Sequence, residues 1–131
     1  MKNDEKKELN KIGKTYNKPW GQYKTLLIEG NYQIKIITIE PGGKLSLQKH
    51  IHRCEHWIIV KGHLKVTKGK NETQKKVNDY IFIEKEEIHR LENEGDTIAQ
   101  LVEIQYGEYL GEDDIVRLDD KYGRTSDKKT K

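Results

Sequence analysis

From Asn31 to Glu40 the chain alternates, Asn-Tyr-Gln-Ile-Lys-Ile-Ile-Thr-Ile-Glu, and it then meets Pro41-Gly42-Gly43. Period-two alternation rich in β-branched side chains describes a strand with two unlike faces, and the Pro-Gly-Gly that follows is turn chemistry. The pattern recurs. Lys44 to His50 alternates again. Glu55 to Val60 is a short apolar run closed by Lys61-Gly62, and His63 to Thr67 follows as its expected hairpin partner. Lys68-Gly69-Lys70-Asn71 marks another turn, and Tyr80 to Ile83, Glu87 to Leu91 and Thr97 to Gln105 complete the series. Turns at roughly eight to twelve residue spacing predict an all-β sandwich or barrel. Only the first dozen residues and Glu112 to Leu118 have any helical character, and neither carries a wide apolar stripe.

A chain of 131 residues is long enough for one domain and one core. Charged residues make up 36% and the hydrophobic set 33%, so that core is built economically. Both ends are Lys-rich and poor in apolar residues, which predicts a flexible arm over 1–17, a folded unit over 18–124 and a flexible tail over 125–131. The net charge is only +3, with no Arg-rich stripe, so no nucleic-acid partner is expected. The single cysteine, Cys54, excludes an internal disulfide framework. A charged N-terminus without an apolar run is not the pattern of a secretory leader, and no segment approaches the length of a membrane span. A cytoplasmic location and no membrane partner are the corresponding expectations.

One stretch concentrates ligand chemistry. Gln48, His50, His52 and Glu55 lie close together, and His89 follows downstream. Side chains two apart on a strand share a face. By that parity Lys44, Ser46, Gln48, His50 and His52 project to one side and line a cavity. Leu45, Leu47 and Ile51 project to the other side and need a cover. A homodimer packed through that apolar face, each copy lending its N-terminal strand, is the expected solution. Two ligand registers are open: His50 and His52 with Glu55, or Gln48 and His50 with Glu55.

The spacing Gly42, five residues, Gln48-x-His50, four residues, Glu55, six residues, Gly62 resembles the first motif of the cupin superfamily at every interval. That resemblance favours the register starting at Gln48. The stretch Glu84-Lys-Glu86-Glu-Ile-His89-Arg-Leu-Glu-Asn93 is similar to the second cupin motif, Pro-x-Gly-x-x-His-x-x-x-Asn, with Glu84 and Glu86 replacing the Pro and Gly. The resemblance implies a cupin jelly roll, a double-stranded β-helix barrel, holding one divalent metal ion on Gln48, His50, Glu55 and His89. A donor set of imidazoles, a carboxylate and an amide without thiolate suits zinc first, and also Mn, Fe, Co or Ni.

The likeness extends further. Leu45-Ser-Leu-Gln-Lys-His50, His52-Arg-Cys-Glu-His-Trp57, His89-Arg-Leu-Glu-Asn93, the run from Glu103 to Arg117, Lys18-Pro-Trp-Gly21 and Tyr122-Gly-Arg124 together resemble the type II mannose-6-phosphate isomerase cupin domain. In bacteria that domain is commonly the C-terminal part of a bifunctional enzyme whose N-terminal part is a mannose-1-phosphate guanylyltransferase. No Gly-rich nucleotide loop precedes Lys18, so nucleotidyl transfer is not expected of this chain. What the resemblance implies is a stand-alone, metal-dependent isomerase interconverting mannose 6-phosphate and fructose 6-phosphate for GDP-mannose and polysaccharide synthesis. The alternatives are an isomerase or epimerase of another phosphorylated or nucleotide sugar, and a non-catalytic sugar-binding cupin associated with a separate guanylyltransferase. For the isomerisation, His52, then Glu103, then His56 are candidates to move the proton. Arg53 would stabilise developing negative charge, and Lys44 and Ser46 would bind substrate. Trp20 and Trp57 are expected to pack in the core. The acidic run Glu112-Asp113-Asp114 is expected to form salt bridges or cap a local turn.

Overall fold

The computed structural model describes residues 9–125. The rest of the expected arm and tail, 1–8 and 126–131, lies outside the described residues. Among the described residues there are eleven strands and no helix: β1 (Thr15–Lys18), β2 (Gly21–Glu29), β3 (Tyr32–Ile39), β4 (Leu47–Lys49), β5 (Arg53–Lys61), β6 (His63–Lys68), β7 (Asn71–Lys76), β8 (Tyr80–Ile83), β9 (His89–Glu92), β10 (Ala99–Gly107) and β11 (Val116–Asp119). They form two antiparallel sheets, one in the order β1-β2-β3-β10-β5-β8 and the other in the order β11-β4-β9-β6-β7. The result is the jelly roll expected from the sequence, with the inner faces of both sheets enclosing the core.

Alternation along β3, β5 and β10 produces that interior, and a change in residue type partway along each strand divides it. The inward positions of β3 are Gln33, Lys35, Ile37 and Ile39; those of β5 begin Arg53, Glu55, Trp57 and Ile59. Pairing register aligns these changes across the sheet. Ile37, Leu101 and Ile59 form one row, Lys35, Glu103 and Trp57 the next, and Gln33, Gln105 and Glu55 the third. At the apolar end Ile39, Ile59, Leu64, Leu101 and Trp57 are all buried to within about 1%. Each such side chain contributes about 2–3 kcal/mol through loss of apolar surface from water. At the other end the same strands line a polar cavity. The core and the site are therefore two halves of one barrel.

Turns set the strand connections. Gly42 and Gly62, the outer glycines of the first motif, both take the left-handed backbone, with φ of 83° and 71°. At Gly62 a Cβ would also lie 2.8 Å from the Ile98 carbonyl oxygen. This turn sends the chain from one sheet to the other. The segment 63–67 is thus not the hairpin partner of β5; β6 pairs with β7 and β9. In the second motif, Glu86 occupies the left-handed region with φ of 64° where the family pattern has glycine. The Glu86 N–H donates to the His50 carbonyl at 2.7 Å.

Asn93 closes this turn region. Its Nδ2 donates to the carbonyls of Ile39 and Thr97 at 2.9 and 2.8 Å, and its Oδ1 accepts from the Gly95 N–H at 2.9 Å.

Several expectations change. The expected arm is part of the fold from residue 10 onward: β1 pairs with β2, Ile12 bridges Thr25, and Asn10 is buried. Val116–Asp119 is strand β11 rather than helix, because it completes the edge of the second sheet beside β4. Strand β7, Asn-Glu-Thr-Gln-Lys-Lys, was illegible because its residues are almost all exposed and it has no apolar face to reveal a period.

Candidate metal centre

His50, Glu55 and His89 converge inside the polar half of the barrel, with one ligand atom from each lying within 4.8 Å of the others. They arrive from both sheets. Glu55 stands on β5 of the six-stranded sheet. His89 stands on β9, directly opposite Gln48 of β4, and Gln48 in turn faces Arg117 of β11. His50 follows the end of β4. All four expected ligands are at least 92% buried and line the same cavity of about 150 Å³.

Backbone carbonyls orient both imidazoles. Nδ1 of His50 lies 2.6 Å from the Asp114 carbonyl oxygen, and Nδ1 of His89 lies 2.8 Å from that of Glu87. A carbonyl only accepts, so each Nδ1 carries a hydrogen and each Nε2 is the ring atom that faces the cavity. Such outer hydrogen bonds fix metal-binding histidines in proteins. His50 Nε2 lies 3.1 Å from Glu55 Oε2, and His89 Nε2 lies 3.9 Å from Glu55 Oε1. Two ring nitrogens and a carboxylate thus converge within one small volume. The donor set therefore fits a divalent ion.

Arg53 supplies the positive charge beside this cluster. Its Nε and Nη2 both lie 3.0 Å from Glu55 Oε2, and Trp57 Nε1 donates to Glu55 Oε1 at 3.0 Å. Burial acts to raise the Glu55 pKa, but His50 and Arg53 outweigh it and hold the carboxyl well below its usual range. Burial lowers the His89 pKa to about 4, against the opposing pull of Glu55, so its ring is neutral at pH 7. Burial and then the Glu55 charge push Glu103 up to about 8, despite Lys35 and Arg53. Two carboxylates in one cavity are thus held in opposite protonation states.

Glu103 is held by a chain of amides. Gln105 Nε2 donates to Glu103 Oε2 at 2.8 Å, Gln33 Nε2 donates to Gln105 Oε1 at 2.8 Å, and Asn10 Nδ2 donates to Gln33 Oε1 at 2.9 Å. Across the cavity Lys35 pairs with Glu112 at 2.7 Å. Burial opposes ionisation of Glu112, but Lys35 and Arg53 bring its pKa down to about 2. Lys18, Arg117 and Arg124 line the same cavity, Arg124 in a bidentate pair with Asp120.

Placement differs from strand parity at three positions. His52 lies outside the cavity, with 44% of its side chain exposed and Nδ1 3.1 Å from Glu108 Oε2. The cause is local: β4 ends at Lys49, and the N–H groups of Ile51 and His52 donate to the Asp114 carboxylate at 2.8 and 3.0 Å instead of continuing a ladder. Lys44 sits at an isolated bridge to Glu92, away from the cavity, while Ser46 is buried and lines it. Leu45 turns inward to the core, so Leu45, Leu47 and Ile51 do not form one outer strip. His56 also faces outward, 2.6 Å from the Tyr80 hydroxyl. Arg53 and Glu103 do face the cavity. Glu112, Lys35, Arg117 and Arg124 were not singled out as site residues, because their signal lies in contacts across as many as 77 positions of sequence.

A jelly roll whose interior gathers His50, Glu55 and His89, with Gln48 lining the same cavity, is a cupin-type barrel with a candidate metal site. Solved cupin and double-stranded β-helix structures share the fold. The structure of KdgF from Halomonas has a TM-score of 0.68 at 10% identity, covering 72% of this chain and 88% of that one. An uncharacterised double-stranded β-helix protein from Klebsiella pneumoniae has a TM-score of 0.64 at 15% identity, covering 86% and 92%. The sequence profile of the family described as mannose-6-phosphate isomerase, C-terminal, matches residues 4–120, and the chain belongs to that family. The alginate biosynthesis protein AlgA of Pseudomonas putida is 47% identical over 109 residues, which is 83% of this chain and 22% of AlgA. The mannose-1-phosphate guanylyltransferase RfbM of Salmonella typhimurium is 46% identical over 106 residues, 81% of this chain and 22% of RfbM. The chain thus spans about a fifth of the length of these relatives. That finding overturns the expectation of a stand-alone mannose-6-phosphate isomerase: these relatives match the chain over only about a fifth of much longer proteins. Among the described residues no helix is long and apolar enough to cross a membrane.

Proposed function

We propose that this chain is an isomerase-type cupin domain that acts on a phosphorylated or nucleotide-linked sugar in company with a mannose-1-phosphate guanylyltransferase, in the cytoplasm. One observation carries the reading: a carbonyl-oriented His50–Glu55–His89 cluster shares a cavity with a buried carboxyl, Glu103, and with the cations Arg53 and Lys35. Gln48, His50, Glu55 and His89 would hold one divalent ion, zinc first. Bound there, the ion supplies Lewis acidity toward sugar oxygens. In the metal-free chain burial and the Glu55 charge raise the Glu103 pKa to about 8, and Gln105 engages its Oε2, which leaves Oε1 to exchange a proton. A divalent ion in the same cavity draws that pKa down, so the loaded site uses Glu103 to accept and return a proton of the sugar. Arg53 stabilises negative charge that develops beside the cluster. Lys18 and Arg117 recognise the phosphate, while Arg124 on the same wall is held by the Asp120 carboxylate. Ser46 contributes a hydroxyl from the cavity wall. The relatives named for alginate biosynthesis and guanylyl transfer support a sugar-activation setting.

The test is deuterium uptake. The zinc-loaded chain is incubated in D2O with a panel of phosphorylated and nucleotide sugars, with and without a mannose-1-phosphate guanylyltransferase. Incorporation at carbon that is lost on chelation and in Glu103→Gln supports the assignment. Tight sugar binding with no exchange in any mixture would replace it with the non-catalytic reading.

A further inference from the structure

Residues 9–14 precede the first strand and run beside β2, where Ile12 bridges Thr25 and the Gly13 N–H donates to the Thr25 carbonyl at 2.8 Å. None of them lines the cavity. Leu9 and Ile12 are 42% and 58% exposed, and Asn10 is the one buried residue of the six. A segment that leaves its apolar side chains in water and buries an amide is not docked by the hydrophobic effect. The contacts of that amide are complete. The Tyr23 hydroxyl donates to Oδ1 at 2.8 Å, while Nδ2 gives one hydrogen to Gln33 Oε1 at 2.9 Å and the other to Glu112 Oε2 at 3.0 Å.

Glu112 dictates which way this amide is turned. Its carboxylate is paired with Lys35 at 2.7 Å and only accepts, so the Asn10 atom beside it is the nitrogen. The same nitrogen faces Gln33 Oε1. That leaves Gln33 Nε2 for Gln105 Oε1, and Gln105 Nε2 for Glu103 Oε2. Two facing carbonyl oxygens make no hydrogen bond, so turning the first amide over turns the others with it. Thr25 Oγ1 also donates to Gln33 Oε1, at 2.9 Å, but a hydroxyl accepts equally well and does not fix the direction. Gln33 and Gln105 are both buried to within about 1%, which keeps water from breaking the chain.

We propose that Asn10 is a positioning residue: it carries the orientation of the Glu112–Lys35 pair through Gln33 and Gln105 to Glu103, and so selects Oε1 as the oxygen left to meet the sugar. The proposal rests on the reading of Glu103 as proton carrier, and it makes the segment before β1 part of the site.

The metal-free full chain, labelled with 15N, tests the hydrogen-bond link without any sugar. In Asn10→Asp the first position only accepts, so the Gln33 and Gln105 amides turn over and their side-chain NH2 resonances move. Asn10→Ala removes the link without adding charge; both NH2 groups should then exchange faster with water, and this variant provides the readout should Asn10→Asp fail to fold. Zinc affinity, read against a chromophoric chelator, should stay within about twofold in both, since Asn10 bonds to none of the ligands. In the deuterium-uptake assay Asn10→Ala should lower kcat by about 10-fold or more with KM within about twofold, because the proton carrier is misplaced while the phosphate contacts remain. In a Gln33→Met background the same substitution should lower kcat no further. Unchanged Gln33 and Gln105 resonances overturn the proposal. So does a loss of zinc affinity that parallels a loss of melting temperature, or a fall in kcat that is additive with Gln33→Met. A wild-type chain that exchanges no sugar hydrogen defeats the isomerase reading instead, and the amide spectra then decide whether Asn10 orients Glu103.

Discussion

Glu103→Gln should stabilise the metal-free protein at neutral pH and leave it unchanged in acid. In the folded chain burial and the Glu55 charge keep Glu103 protonated up to about pH 8, against an ordinary value of 4.5. The unfolded chain releases that proton near 4.5. Stability contributed by the neutral carboxyl is fully present below about pH 4.5 and is lost as pH rises through about 8. At pH 7, some 2.5 units above the ordinary value, the loss amounts to about 3 kcal/mol at about 1.4 kcal/mol per unit. Glutamine never ionises, so the variant escapes this loss. Its amide oxygen still accepts the hydrogen bond from Gln105 Nε2, and its volume is nearly the same. Urea denaturation with chelator present, at pH 4.5, 6, 7 and 8, gives the difference directly. The expected difference is near zero at pH 4.5 and grows to about 3 kcal/mol by pH 7. A difference that does not vary with pH would refute the idea that Glu103 is held protonated, and its assignment as proton carrier would go with it.

For the metal site, His50→Ala and His89→Ala should each weaken zinc binding by about 100-fold or more, while His52→Ala should change it less than about twofold; competition against a chromophoric chelator reads all three. Loss of zinc in the His52 variant would restore the register rejected here. Glu86→Gly should raise stability by about 0.5–1 kcal/mol, because a left-handed non-glycine residue costs roughly 1–2 kcal/mol and glycine's greater freedom in the unfolded chain returns part of that; thermal denaturation decides it, and a lower melting point would show that the Glu86 side chain stabilises the turn. Asn93→Ala should destabilise the fold by about 3 kcal/mol, since it leaves two carbonyls and one N–H without their partner, yet leave zinc affinity unchanged.

Two kinds of information separate in this protein. The sequence by itself determined the strand-rich character, the alternation of β3, the turn at Pro41-Gly42-Gly43 and the spacing that groups Gln48, His50 and Glu55 with His89. Those signals are local, since a period of two and a glycine at a left-handed turn arise from residues a few positions apart. Parity failed where the ladder broke. Between Lys49 and Arg53 the backbone bonds to the Asp114 carboxylate, so His52 faces solvent although His50, two residues earlier, faces the cavity. Leu45 and Ser46 are both buried because they lie in the irregular stretch before β4, where no ladder imposes alternation. Only the tertiary structure decided which charges meet. Lys35 finds Glu112, and Asn10 reaches Gln33 and through Gln105 the Glu103 carboxyl, over separations that no pattern in the chain records. The protonation of Glu103 and His89 belongs to this second kind, because a pKa shift depends on burial and on the neighbours that folding brings together.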